Sequence, residues 1–323
     1  MLFRSADGKS TTACPYSLVA TDGGVLFAAA GDVDDRMDSS TRYLFRSDDA
    51  GASWSAIRLP QDLKDVSLAA GEGALFVLGA TPAESRAPVK ERHLYRLDVS
   101  KGSFEHLGDY DASPDGGEMQ YATSLAYANA SLYAIDCYAD GTMMNPSHMR
   151  IREFDGSYAP VDICTLKHEY GPTGSYYAPK VSVCGNSIYV CDLQKEIIPG
   201  SGDHRFGLER VDVASDGAIF STDLSASLAN LDKDIEVEDV CMAASAEGVY
   251  FIGNGLSALL PAGASYTDTF FLKNGETTFE PYSRTLSLAP VYQPSATCVD
   301  GWLYAFAESE YEEHPVFGRA TEV

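Results

Sequence analysis

The hydrophobic and polar positions of the chain repeat as a unit of two short apolar strands joined by a tight turn. The turn is rich in Gly or Asn, and the second strand carries an aromatic residue. The six copies read "SLVATDGGVLFAAAGD", "SLAAGEGALFVLGA", "SLAYANASLYAIDC", "VSVCGNSIYVCD", "CMAASAEGVYFIGNG" and "SATCVDGWLYAFAES". Their aromatic residues, spaced by 49, 57, 56, 61 and 54 positions, are Phe27, Phe76, Tyr133, Tyr189, Tyr250 and Tyr304. Such a period indicates an array of supersecondary units.

A second hairpin recurs between these copies, as in "YLFRSDDAGASW", "LYRLDVSKGSF" and "LERVDVASDGAIF". Two hairpins per repeat predict a four-stranded antiparallel sheet, and the near absence of helical periodicity predicts an all-β fold. Six sheets around a channel make a six-bladed β-propeller, with residues 1–323 as a single domain. We expect residues 1–14 to close the ring by supplying outer strands to the sheet of residues 295–308, because closure removes exposed sheet edges. Residues 316–323 are expected either to add another strand there or to lie alongside.

The stretch "RSDDAGASW" contains a spaced set of turn residues that resembles a known motif. Ser47, Asp49, Gly51, Ser53 and Trp54 follow the pattern Ser-x-Asp-x-Gly-x-Ser/Thr-Trp. This pattern resembles the Asp-box of BNR-repeat proteins, and the glycine turns followed by aromatic strands resemble divergent kelch repeats. In such a turn the aspartate accepts backbone hydrogen bonds, the glycine permits positive φ, and the tryptophan packs between sheets. The resemblance therefore implies structural roles for these residues.

The long connections of the predicted blades open on one face, which is where loops on a rigid scaffold usually carry function. Residues that enter the innermost strands at this face are predicted to surround the channel mouth and to bind a ligand. They are Tyr16, Asp65, Tyr121, Tyr177, Lys180, Asp239 and Tyr292. Below them, a column of small residues is expected to let the inner strands converge: Ala20, Ala69, Ala126, Ser182, Ala243 and Thr297. As an alternative, the tyrosines fill gaps between blades.

The charge of the chain excludes some partners. With 47 acidic and 23 basic residues the net charge is −24, which repels phosphate backbones and anionic lipid surfaces. No apolar run approaches the length of a membrane span. The partners expected from the aromatic and acidic mouth are a glycan, a peptide or a protein.

We expect an extracellular or cell-surface location in a bacterium, with a cytoplasmic location as the alternative; the first ten residues contain no apolar leader segment.

Metal and cofactor motifs are not visible in the sequence. The seven cysteines include no Cys-x-x-Cys pair or Cys/His set with zinc spacing, and no motif surrounds any of the six histidines. We therefore expect no cofactor and no metal. An acidic run could offer oxygen ligands to calcium, although it lacks the EF-hand spacing and is better explained as a solvated loop. Its carboxylates are Asp32, Asp34, Asp35 and Asp38.

Two functions from different classes fit these features. The first is a non-catalytic binding propeller that presents its aromatic and acidic mouth to a ligand. The alternative is a glycoside-acting hydrolase that uses carboxylates at the mouth, such as Glu118, Asp239 and Glu310. Sialidase activity is not expected, because the Phe/Tyr-Arg-Ile-Pro segment of that Asp-box family is missing. The nearest string, "MRIREF", falls in a predicted outer hairpin.

Overall fold

In the computed structural model of the protein, the chain folds into antiparallel β-sheets. The structure describes residues 3–4, 10–11, 13–32, 41–81, 91–111, 119–139, 148–165, 179–196, 204–224, 240–254, 267–276, 278–282, 291–309 and 316–320. Every regular element within these ranges is a strand. No helix in the described part of the chain is long and apolar enough to cross a membrane. The prediction of an all-β fold built from antiparallel sheets is confirmed.

The first two repeats share one seven-stranded sheet, β3 to β9, preceded by a two-stranded sheet of β1 and β2. The strands are β1 (Phe3–Arg4), β2 (Ser10–Thr11), β3 (Ala13–Ala20), β4 (Leu26–Asp32), β5 (Thr41–Ser47), β6 (Ser55–Gly71), β7 (Ala74–Ala80), β8 (Glu91–Asp98) and β9 (Ser103–Asp111). Strand β6 pairs with β5 through its first half and with β7 through its second half. It therefore belongs to both repeats, as the outer strand of the first and the inner strand of the second.

The later repeats form separate sheets in chain order, three with four strands and the last with three. Their strands are β10 (Met119–Ala128), β11 (Ser131–Ala139), β12 (His148–Phe154), β13 (Pro160–Thr165), β14 (Lys180–Cys184), β15 (Ser187–Glu196), β16 (His204–Val213), β17 (Ile219–Asp223), β18 (Val240–Ser245), β19 (Gly248–Asn254), β20 (Thr267–Lys273), β21 (Glu280–Pro281), β22 (Val291–Val299), β23 (Trp302–Ser309) and β24 (Val316–Ala320). Each sheet is a meander in which every strand pairs with the strand next to it in sequence, so each repeat folds locally.

The second strand of each repeat is apolar on both faces because both faces are covered by neighbouring sheets. All seven residues of β7 are buried. Phe27 and Leu44 of the first repeat pack in one cluster with Val77 of the second, while Phe76 and Leu132 lie in a cluster that joins the second and third repeats. Further clusters join the third, fourth and fifth repeats and the fifth and last. Burial on both sides explains continuous apolar runs in place of alternation.

The first and last repeats also pack against each other. Leu18 and Phe45 of the first repeat share a buried cluster with Tyr304 and Phe306 of the last. The ring of Trp54 lies 5.1 Å from that of Phe306. The inner strand β22 contacts β3, as each other inner strand contacts the inner strand of the following repeat.

The chain termini pair differently from the prediction. β24 joins the last sheet by pairing with β23, as expected for the C-terminal segment. In the pairings that the structure describes, however, β1 and β2 pair only with each other, and β1 lies against β6. The expected ladder between the N-terminal strands and the last sheet is not formed there. Within the described residues, the last sheet has the order β22-β23-β24, so the C-terminal segment and not the N-terminal one supplies the strand after β23.

Candidate active site at the channel mouth

Several predicted mouth residues lie at irregularities in the inner strands. The ladder of β3 and β4 skips Tyr16, the ladder of β6 and β7 skips Asp65, and the ladder of β10 and β11 skips Tyr121. In β22 a similar shift follows Tyr292 directly. Asp65 also has a left-handed φ of 50°, which is uncommon for a residue with a side chain. Bulges redirect side chains and occur often beside active sites.

The structure describes only some of the residues that were predicted to surround the mouth. For Tyr16, Tyr121 and Tyr292 the strand position is described, while Tyr177 and Asp239 lie outside the described residues. Glu118, Glu310 and the acidic run Asp34, Asp35 and Asp38 also lie outside them, and Asp32 ends β4. Asp65 is exposed, and Lys180 is partly buried.

Lys180 begins the inner strand β14 and lies near the next inner strand. It pairs with Cys191 in the ladder of β14 and β15. Its positive charge acts on Cys241 of β18, although burial dominates and raises the pKa of that thiol to about 12. Lys180 therefore lies near both β14 and β18. A lysine ammonium group in this position can donate hydrogen bonds to a carboxylate or to the hydroxyl oxygens of a sugar.

The Asp-box residues form a closed hydrogen-bonded turn. The Asp49 carboxylate accepts hydrogen bonds from the Ser53 backbone N–H at 2.8 Å and from the Ser53 hydroxyl at 2.5 Å. These bonds hold the pKa of Asp49 below its ordinary value. The Gly51 N–H donates to the Ser47 hydroxyl, and the Trp54 indole N–H donates to the Gly51 carbonyl. With φ of 85°, Gly51 occupies the left-handed region. The contacts of the Asp49 carboxylate are thus contacts within its own turn.

A buried charge network lies where the second and third repeats meet. Asp136 of β11 is fully buried, and its carboxylate lies 2.6 Å from Arg152 Nε. The hydroxyls of Tyr110 and Thr123 each donate to this carboxylate at 2.7 Å. Arg152 also donates to the Tyr110 hydroxyl and lies over the Tyr110 ring, while Arg150 approaches Asp136 at 3.9 Å.

This network was not predicted from the sequence. The string "MRIREF", which we placed in an outer hairpin, supplies both of its arginines, and they are 4% and 2% exposed. Thr123 lies two residues beyond Tyr121 on the inner strand β10, so the network supports the inner strand just below the predicted mouth. A guanidinium that is buried against a carboxylate is not free to bind a substrate anion. An alternating pattern of charged residues within an apolar strand was the only sequence signal of this site.

The recurring arginines of the third strands behave as repeat features. Arg46, Arg96 and Arg210 each pair with the repeat aromatic of the neighbouring strand. Arg46 binds Asp48 at 2.6 Å and donates to the Val99 carbonyl of the second repeat at 2.8 Å. The hydrogen bond from Arg46 to Val99 joins the first and second repeats.

No protein-family model matches the chain, and no curated protein sequence matches it. Solved structures do match. Sialidase of Trypanosoma rangeli in complex with the inhibitor DANA is 12% identical with a TM-score of 0.60, covering 99% of this chain. This chain spans only 57% of the length of that sialidase. The fold is that of a β-propeller.

Two further β-propellers match over nearly their whole length. The α-L-arabinofuranosidase Arb93A of Fusarium graminearum with an iminosugar inhibitor is 11% identical with a TM-score of 0.59. The α-L-arabinanase of Penicillium chrysogenum with arabinobiose is 12% identical with a TM-score of 0.60. In both comparisons, 96% of this chain and 92% of the other are covered.

These comparisons correct the first functional interpretation. All three neighbours are glycoside hydrolases, which contradicts the prediction of a non-catalytic binding propeller and favours the alternative of a hydrolase. They do not single out the kelch or BNR class within the propellers. The sequence led to the wrong function because no catalytic motif could be read from it. One fold hosts many unrelated functions, so the propeller pattern by itself did not indicate a reaction.

Proposed function

We propose that this protein is a glycoside hydrolase with its active site at the mouth of a six-bladed β-propeller. The observation that carries the proposal is the match, at nearly full length of both chains, to an α-L-arabinofuranosidase and an α-L-arabinanase. Six inner hairpins and the apolar packing between the first and last repeats support six blades around a channel. The first sheet then counts as two blades that share β6.

The substrate class that we propose is a neutral glycan. A net charge of −24 disfavours an anionic sugar such as sialic acid. Arg150 and Arg152 are buried beside Asp136, so they are not placed to bind a substrate carboxylate. Tyrosine rings of the mouth would provide apolar platforms for sugar rings, with their hydroxyls available for hydrogen bonds. For this role we propose Tyr16, Tyr121, Tyr177 and Tyr292, with Asp65 and Lys180 beside them.

The chemistry requires two carboxyl groups across the scissile bond. One protonates the glycosidic oxygen, and the other either attacks the anomeric carbon or activates a water molecule. We propose that these groups belong to the acidic residues of the mouth, Glu118, Asp239 and Glu310. A separation of roughly 5 Å between the two carboxyl groups would indicate that the anomeric configuration is retained, whereas roughly 6.5–9.5 Å would indicate that it is inverted. The Asp136 network would hold the inner strand β10 in place beneath them.

The test is hydrolysis of a panel of glycosides by the purified full chain. The panel contains 4-nitrophenyl α-L-arabinofuranoside, other neutral 4-nitrophenyl glycosides, linear arabinan and a 4-methylumbelliferyl sialoside. We expect turnover of at least one neutral substrate, and a loss of about 100-fold or more in kcat for one of Glu118→Gln, Asp239→Asn and Glu310→Gln. As a matched control, Asp22→Asn alters an exposed carboxylate in the β3–β4 turn, at the opposite end of the inner hairpin.

Two results would overturn the proposal. One is the absence of turnover across the panel when a glycan array shows tight binding, and the other is activity that survives all three acid substitutions. Turnover of the sialoside alone would remove the neutral-glycan assignment. The extracellular location expected from the sequence stays a prediction, and secretion of the full-length gene product would test it.

A further inference from the structure

Two histidines and one aspartate of the second repeat converge on the outer strands β8 and β9. His93 Nδ1 lies 2.7 Å from Asp109 Oδ1, and His106 Nε2 lies 2.8 Å from the same oxygen. The three donor atoms all lie within 4.8 Å of one another. Two imidazoles and a carboxylate make a donor set that suits zinc and similar transition-metal ions.

A β-bulge brings these side chains to one face of the sheet. His106 and Asp109 are three residues apart, so in a regular strand their side chains would point to opposite faces. The ladder pairs Tyr95 with His106 and then Leu94 with Gly108, so the residue between them is skipped. Because of this extra residue, the side chains of His106 and Asp109 lie on the same face of the sheet. His93 is the direct cross-strand partner of Asp109, which completes the set.

The second ring nitrogen of His93 already has a partner. Thr81, the residue after β7, has its hydroxyl 2.7 Å from His93 Nε2. Histidines that bind metals usually have their other ring nitrogen held in this way, which fixes the tautomer and the ring orientation. The Tyr95 ring packs against the His106 ring at 5.1 Å and limits its rotation. Both imidazoles are thus oriented toward Asp109 by neighbours that are not ligands.

We propose that His93, His106 and Asp109 form a divalent-metal site that takes zinc and clamps β8 to β9. With bonds of about 2.0–2.1 Å in a tetrahedral arrangement, ligand atoms are about 3.3 Å apart, so each side chain must move by roughly 0.5 Å. His93 is 12% exposed, whereas His106 and Asp109 are nearly half exposed, which leaves the outer side open for water as a fourth ligand. The negative charge of the chain favours cation binding.

The first test is titration of the metal-free full chain with ZnCl2 by isothermal calorimetry. We expect one zinc ion per chain, reversal by EDTA, and a zinc-dependent rise in melting temperature. Co2+ in place of zinc should give the visible absorption of a tetrahedral site. These measurements do not depend on glycosidase activity, so the two proposals fail separately.

Variants locate the binding. Thr81→Val should weaken zinc binding by about 10- to 100-fold, since it removes a partner of a ligand and not the ligand itself. His93→Gln, His106→Gln and Asp109→Asn should weaken it further, and His204→Gln, which changes a histidine of β16, is the matched control. If a ligand variant does not fold, Thr81→Val and the cobalt spectrum still test whether the metal binds at this cluster. The proposal is overturned by the absence of zinc binding in the wild type or by equal binding in the ligand variants.

Discussion

Asp136→Asn, which removes a buried charge, should destabilise the protein more than the loss of any single charge at the surface or in a turn. The carboxylate is fully buried and lies 2.6 Å from Arg152 Nε, which is itself 2% exposed. Removing one partner of a buried pair leaves a charge without compensation, at a cost of about 3–5 kcal/mol. With about 2.1 cal/mol/K per residue over 323 residues, this loss lowers the melting temperature by roughly 4–7 °C.

The matched control is Asp212→Asn. Asp212 pairs with Arg210 at 3.0 Å, but both side chains are about one third exposed. Solvent screens such a pair, so the expected loss is below about 1 kcal/mol. Both variants would be measured by chemical denaturation and by calorimetry, with circular dichroism to confirm the native sheet content.

A double replacement separates the loss of charge from the loss of packing. Asp136→Leu combined with Arg152→Met removes both charges and keeps apolar volume, so it should recover at least half of the loss caused by Asp136→Asn. The reasoning is refuted if Asp136→Asn costs no more than Asp212→Asn, or if the double variant is less stable than Asp136→Asn alone.

Two further predictions concern packing and thiol chemistry. A Cβ at Gly71 would lie 2.0 Å from the Tyr127 ring, so Gly71→Ala should cost about 1–3 kcal/mol in urea denaturation. Gly156→Ala, which has open space, should stay within about 0.5 kcal/mol, and equal losses would contradict the assignment. Burial raises the pKa of Cys241 and of Cys298 to about 12, so few thiolates exist at pH 8. Iodoacetamide should label both slowly until urea is added, as read by peptide mass spectrometry, and fast labelling of the native protein would refute this.

The sequence predicted the repeat correctly because each repeat folds by pairing neighbouring strands. Five of the six small residues in the predicted column pair with the repeat aromatic, among them Ala69 with Phe76. In the first repeat, Val19 pairs with Phe27 in place of Ala20. The reason is that five residues separate the paired ends of β3 and β4, whereas two separate those of the other inner hairpins.

The sites could not be predicted in the same way because they depend on register and on contacts between repeats. Tyr110 and Asp136 are 26 residues apart and meet only when the second and third sheets pack together. His106 and Asp109 share a face only because of a bulge, and a bulge has no reliable signature in a single sequence.

Neighbouring residues of β9 face opposite sides of the sheet. This alternation connects the two sites that sequence reasoning missed, which are the histidine–aspartate cluster and the Asp136 network. Asp109 faces the side on which Tyr95 packs with the first repeat, whereas Tyr110 faces the third repeat and donates to Asp136. A metal bound between β8 and β9 would therefore fix the backbone of the residue next to Tyr110. Because Tyr110 holds the carboxylate below the inner strand β10, a clamp on the outer edge would reduce motion at the mouth without contacting a substrate. If both proposals hold, removal of zinc should change KM more than it changes the chemistry of bond cleavage.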